Sequence, residues 1–240
     1  MTGTIVNVIA ILAGSLIGVL LKRGIPEHIN AAIIKAEGVA ILVIGLNGVL
    51  TAMLFFGADG KLHADGALLL LISLAAGCLI GEVVKIEDRL NGLSGVMERK
   101  LKADNLSKGF VTATLIFVIG AMSIVGALND GLSGDHTILF TKSMLDFITA
   151  IVLTASLGIG VIFAAIPVFI VQGAIAVLAR IISPYISEEL IRLFSMVGYA
   201  LVMALGLNFL ADTKIRVANL LPALAVPIAY YYIFTAAGII

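Results

Sequence analysis

The chain has 240 residues, 61% of them hydrophobic and 12% charged, against roughly 45 to 50% and 25% in an ordinary soluble domain. Folded in water it would expose roughly 10,000 Å², over which its 15 basic and 15 acidic residues are too sparse to keep it dispersed. A water-soluble protein is therefore excluded, and the zero net charge excludes a nucleic-acid binder that works by neutralising phosphates.

Eight apolar segments approach the roughly 20 residues that a spanning helix needs. They run from Thr4 to Leu21, Ala32 to Phe56, Gly66 to Val84, Gly109 to Ala127, Lys142 to Phe163, Pro167 to Ile182, Leu190 to Leu210 and Val217 to Ala237. The runs are continuously apolar rather than alternating, which favours helices over the strands of an outer-membrane barrel. The expected fold is an all-α polytopic transmembrane helix bundle, a single transmembrane domain over residues 1–240. Only Gly158, Gly160 and Pro167 punctuate the stretch from Ser143 to Ile182, so seven spans is the alternative count.

No basic residue precedes the first helix, while Lys22 and Arg23 follow it, so it reads as a retained span rather than a cleaved signal peptide. Counted over alternate loops, Lys and Arg number eleven on one side and four on the other. The richer side is expected to be cytoplasmic, which places both termini outside the cell's inner membrane. Between the third and fourth helices, Ile86, Leu90, Leu93, Met97 and Leu101 recur on one helical face with charged residues opposite. That pattern predicts an amphipathic segment at about 86–104, lying on the inner leaflet or docking a cytoplasmic partner.

Internal echoes are present. Ala13 to Lys22 matches Ala76 to Lys85 at six of ten positions, and each copy carries a Gly-x-x-x-Gly pair, Gly14/Gly18 and Gly77/Gly81. Such pairs let helix backbones approach closely, and a homodimer seam is one use of them. Gly38 to Asn47 echoes Gly198 to Asn208, with a fainter copy ending at Asn129, and Thr141-Lys142 echoes Thr213-Lys214. Helices three to five and six to eight thus read as two inverted three-helix repeats, with helices one and two a partial third.

Polar residues within spans are the candidate site, because an unpaired polar group in hydrocarbon costs several kcal/mol. Asp146 stands four residues after Lys142, a spacing that joins them on one helix face, and Asn129, Asp130 and Asp135 share their outer rim. The pair reads either as an ion- or proton-coupled site or as a local ion pair near the headgroups. Asn219, followed by Pro222 and Pro227, marks a helix that frees carbonyls for an ion or solute. Gln172 follows Pro167 in a short sixth helix and reads as a solute ligand or an interhelical hydrogen bond. Asn208 closes the seventh helix. The lone Cys78 excludes an internal disulfide, and His28, His63 and His136 are too far apart in sequence for metal-ligand spacing; no metal and no cofactor is expected. Gly92-Leu-Ser94-Gly and Gly131-Leu-Ser133-Gly resemble the nucleophile motif of intramembrane serine proteases, but no span carries a His to activate either serine, so no enzyme is expected.

At Gly3-Thr-Ile-Val-Asn7, Asn129-Asp-Gly-Leu-Ser-Gly-Asp135, Thr141-Lys-Ser-Met-Leu-Asp146, Gly158-Ile-Gly-Val-Ile-Phe-Ala-Ala-Ile-Pro167, Val171-Gln-Gly173, Gly206-Leu-Asn208 and Ile215-Arg-Val-Ala-Asn-Leu-Leu-Pro-Ala-Leu224, the chain resembles the prokaryotic integral membrane family called domain of unknown function 554. The resemblance implies a polytopic inner-membrane protein and no settled activity. The residues themselves point to a transporter or channel-like carrier for a small polar or ionic solute, with a pathway between inverted repeats. The alternative is a non-transporting scaffold or sensor that docks a cytoplasmic partner through the 86–104 segment.

Overall fold

The computed structural model describes residues 1–21, 26–57, 59–89, 105–118, 121–211 and 213–236. Their helices are α1 (Thr2–Leu20), α2 (Glu27–Met53), α3 (Ala67–Val84), α4 (Asn105–Val118), α5 (Ala121–Leu132), α6 (Thr137–Leu157), α7 (Ala165–Ile182), α8 (Glu188–Ala211) and α9 (Ala225–Ala236). Tight 3-10 segments, Ile159–Ala164 and Val217–Leu224, lead into α7 and α9. Strands β1 (Leu54–Phe56) and β2 (Leu62–Ala64) form an antiparallel ribbon with Phe55 opposite His63.

Six of the described helical stretches are long and apolar enough to cross a bilayer: Thr2–Leu20, Ala67–Val84, Thr137–Leu157, Ile159–Tyr185, Glu188–Ala211 and Val217–Thr235. Thr112–Val118 and Met122–Leu132, bent by 51°, make a seventh if they are one broken span. Within α2 the apolar stretch Gly38–Met53 is shorter than a full span.

Among the expected boundaries that move, three do so for a clear local reason. The second helix does not reach Phe56, because Leu54 to Phe56 pair with β2 instead. The fifth begins at Thr137 rather than Lys142: the Asp135 carboxylate accepts the Thr137 N–H at 3.0 Å, a turn that starts the helix early. It ends at Leu157, because Gly158 takes φ +85° and ψ −176°, a backbone region essentially confined to glycine. The chain then resumes as the 3-10 segment at Ile159, eight residues before Pro167. The expected amphipathic segment at 86–104 lies, from Leu90 onward, outside the described residues.

The membrane character is written on the helix faces. The buried face of α1 is Gly3, Thr4, Asn7, Ile11, Gly14, Ser15 and Gly18, while Ile5, Ile9, Leu12, Leu16 and Leu20 point outward. Helix α3 buries Leu69, Ser73, Gly77 and Gly81 and exposes Leu68, Leu71, Ile72, Leu79, Ile80 and Val83. In water such helices would be inside out. Facing lipid tails, which are as apolar as leucine, small residues belong at the helix contacts because dispersion at short range drives packing there.

The chain divides into two compact units, one of Met1–Lys35 and Asp88–Pro184, the other of Ala36–Glu87 and Tyr185–Ile240. In the first, Ile11, Phe117, Ala150, Val161, Ala164 and Val168 form a fully buried apolar cluster. Helices α1 and α6 run parallel: Gly3 meets Leu139, Gly14 meets Phe147 and Ala150, and Gly18 meets Ile151 and Thr154. In the second unit α3 runs antiparallel to the segment 217–224, with Gly77 against Ala223 and Gly81 against Asn219. Helices α2 and α8 are also antiparallel there, with Gly38 beside Phe209 and Gly48 beside Tyr199.

Candidate functional site

The polar residues expected as one site fall into three groups, two in the first unit and one in the second. The first is a buried chain of hydrogen bonds. The Lys142 ammonium donates to Asp146 Oδ2, one turn away on α6. The amide of Asn7, on α1, donates to the same carboxylate oxygen at 3.0 Å and to Gln172 Oε1, on α7, at 3.2 Å. The Gln172 amide in turn reaches Ser123 Oγ, on α5, at 3.4 Å. Ser123 Oγ donates to the Phe117 carbonyl at 2.9 Å, near the end of α4, where helical carbonyls lose their i+4 partners. Five helices thus share one polar path through an apolar interior.

Each member is held where its helix turns inward. Asn7 belongs to the small and polar stripe of α1, Lys142 and Asp146 lie with Leu139, Ser143 and Ala150 on the buried face of α6, and Gln172 lies between Val168 and Ala176 on α7. Asn7 and Gln172 have no exposed surface, and Lys142 and Asp146 almost none. The Lys142 ammonium also lies 5.9 Å from the centre of the Phe117 ring, within cation–π range. Unsatisfied oxygens remain beside this path: Asn7 Oδ1 and Thr4 Oγ1 are buried without a partner among the described residues.

The second group stands at the ends of α1, α5 and α6. Asp130 Oδ1 is 2.9 Å from the Met1 amine. It is 2.8 Å from His136 Nδ1, in ion-pair range without hydrogen-bond alignment. Asp130 Oδ2 and both polar atoms of the Asn129 side chain are buried without a partner among the described residues. Asp135 starts α6, as above, and Ser133 Oγ donates to the Asn129 carbonyl at 2.9 Å, which engages the serine of the second protease-like motif in ending α5.

The third group, in the second unit, is held by its own neighbours. Asn219 Oδ1 accepts the Glu87 N–H at 2.7 Å, and its amide donates to Glu82 Oε1 at 2.8 Å. Arg216 reaches Glu82 at 3.4 Å, and the Ala218 N–H donates to Glu87 Oε2 at 3.3 Å. Asn208 clamps the following loop, donating to the Ile215 carbonyl and accepting from the Ile215 N–H and Thr213 Oγ1, all at 2.7 Å. That clamp supports the left-handed turn at Lys214. Pro222 lies inside the 3-10 segment, whose backbone meets Gly81 of α3 so closely that a Cβ there would be 1.8 Å from the Asn219 carbonyl oxygen.

Of the expected residues, Lys142, Asp146 and Gln172 come together; Asn129 and Asp130 share a neighbouring rim; Asn208, Asn219 and Pro222 belong to the other unit, where Asn208 and Asn219 work as structural fasteners. Gly14, Gly18, Gly77 and Gly81 pack against neighbours within their own units. Sequence reasoning missed Asn7 and Ser123. The signal for Asn7 was available, since it stands in register with Gly3, Ile11, Gly14 and Gly18 on one face of an otherwise apolar helix. Ser123 gave none, because single serines are common in spans.

A family model described as a protein of unknown function, DUF554, matches residues 2–232. The chain belongs to the DUF554 family. Within it, this DUF554 protein is 36% identical over 239 residues to the uncharacterized membrane protein YdfK of Bacillus subtilis (strain 168), covering 100% of this chain and 99% of that one. It is 32% identical over 229 residues to the uncharacterized protein YqgA of Escherichia coli (strain K12), covering 92% of each. No solved structure matches this DUF554 chain. The description of YdfK as a membrane protein and the apolar helices of this chain agree on a helical membrane protein.

Proposed function

We propose that this DUF554 protein is a transporter or channel-like carrier for a small polar or ionic solute, and not an enzyme, with the solute path running through the first unit along Ser123, Gln172, Asn7, Asp146 and Lys142. The observation that carries this reading is the single hydrogen-bonded path that joins five helices with a buried ion pair at one end. A buried ion pair adds little stability over apolar packing of the same volume, and ionisable residues inside a membrane protein mark ion and solute pathways. Asn129 and Asp130 then form the outer mouth.

The proposed topology is eight alternating spans in the inner membrane with both termini extracytoplasmic. It is supported by which helix ends meet: Met1 with Asp130, Ser183 with the Leu132 carbonyl, Gly109 with Leu157, and Arg192 with the Ala52 carbonyl. Every one of these joins two ends that alternate crossing puts on the same side. The parallel course of α1 with α6 and the antiparallel course of α3 with the 217–224 segment follow from the same alternation, and inverted repeats of three spans are compatible with it. If the protein is a homodimer, its seam uses a face other than the two glycine pairs, which are already occupied within the chain.

The test is solute-induced thermal stabilisation of the detergent-purified protein over a panel of ions, amino acids and small organic acids, followed by flux of any hit in vesicles. A ligand that binds only the folded state raises stability with its concentration. The expected result is a hit that is lost in Gln172→Ala and kept in Asn208→Ala. No hit, or a hit that Gln172→Ala leaves unchanged, would overturn the path.

A further inference from the structure

We propose that the Asn7, Asp146 and Gln172 cluster is a binding site for one small monovalent cation of the sodium or lithium kind, and that the Lys142 ammonium occupies it as a tethered competitor. This deepens the carrier reading by naming its ion.

The donor set is the first argument. Hard cations take oxygen ligands, and the cluster offers a carboxylate oxygen of Asp146, Gln172 Oε1 and the buried Asn7 Oδ1, which like the nearby Thr4 Oγ1 has no partner among the described residues. Thr4 is three residues before Asn7 on the buried face of α1, a spacing that makes them neighbours.

The amide of Asn7 is the second. Its nitrogen lies 3.0 Å from one acceptor and 3.2 Å from another, so it fills a gap between two oxygens while its own oxygen has no partner among the described residues. Turned about its last torsion, the same amide presents Oδ1 to that gap. Three oxygens would then repel one another unless a cation lay among them, because an amide oxygen only accepts. One side chain thereby serves both the empty and the loaded site.

Charge is the third. Asp146 is the carboxylate of the cluster, and Lys142 already balances it. A divalent ion would leave an uncompensated buried positive charge, and an anion would meet the carboxylate; both are costly in a dry interior. A single monovalent cation restores the balance once the ammonium withdraws on its flexible four-carbon stem.

The experiment measures thermal unfolding of the detergent-purified full chain in lithium, sodium, potassium and choline chloride at equal ionic strength. In the unaltered protein a small alkali cation should raise the unfolding temperature over choline in a saturable way. Lys142→Met removes the competitor, so the half-saturating concentration should fall at least about tenfold, and Asn7→Leu should abolish the effect. Equal unfolding temperatures in alkali and choline salts, for both the unaltered chain and Lys142→Met, would overturn the proposal. If Lys142→Met folds in no salt, equilibrium binding of radioactive sodium to the unaltered chain decides: saturable binding absent from Asn7→Leu supports the site, and no binding overturns it. Solute flux in vesicles with no alkali-cation binding would overturn the ion and leave the carrier standing. Cation binding without flux of any solute would support the site and overturn the carrier.

Discussion

At the scale of single residues, the ion pair of Lys142 and Asp146 distinguishes function from stability. Breaking a buried pair leaves one charge unpaired and costs about 3 to 5 kcal/mol, whereas replacing both partners with apolar residues of similar volume is often neutral or stabilising. Asp146→Asn should therefore lower the unfolding temperature sharply. The double variant Lys142→Met with Asp146→Leu should unfold no earlier than the unaltered chain, yet respond to no solute or ion; melting curves in detergent check both. A double variant that kept its response would make the pair purely structural. Lys142 and Asp146 were legible in the sequence because four-residue spacing fixes their meeting. Asn7 and Gln172 became hydrogen-bonded neighbours only through packing, since 165 residues separate them.

Elements add two expectations. Gly81 has no room for a side chain, with backbone of the 217–224 segment in the way. Overpacking of this kind costs roughly 1 to 3 kcal/mol, so Gly81→Val should lower the unfolding temperature while leaving any ion response of the first unit in place. At the ribbon, Asp59 accepts from the Lys61 N–H at 3.1 Å and lies 2.9 Å from His63 Nε2. The His63 contact first, and the Lys61 N–H second, hold its carboxyl below the ordinary range. A depressed carboxyl contributes order above about pH 4, its unfolded value, and loses it as pH falls through the lowered value. The protection of the Lys61 amide, its hydrogen-exchange rate relative to the intrinsic rate at the same pH, should therefore be present at neutral pH and be lost in acid, and Asp59→Asn should remove that pH dependence. The ribbon itself was hidden in sequence, because Leu54 to Phe56 continue the apolar run of α2 and only pairing with Leu62 to Ala64 draws them out of the helix.

For the whole molecule, alternate crossing makes a labelling prediction. Single cysteines at Asp59 and Ser133 in a Cys78→Ser background should react with an impermeant reagent added outside intact cells, and one at Thr213 should react only after the membrane is opened. Labelling of all three from one side would overturn the eight-span path. This order is the expectation from the charge bias of the loops; the contacts between helix ends bear only on which ends share a side.

What the sequence determined by itself is the solvent of this protein: 61% hydrophobic residues in span-length runs can only be buried against lipid. Composition and spacing are local quantities, so they set helices and pairs one turn apart; eight spans are expected from them, whereas six of the described stretches, or seven with the bent pair, are long and apolar enough to cross. Tertiary structure decided which polar residues are bonded to one another. Asn208 and Asn219 looked as promising as Gln172, but the first two are satisfied by a neighbouring loop and by α3, while Gln172 is joined through Asn7 to a buried charge. Hydrogen-bond partners distant in the chain are set by which helices touch, and that contact depends on packing shape rather than on any residue's own preference.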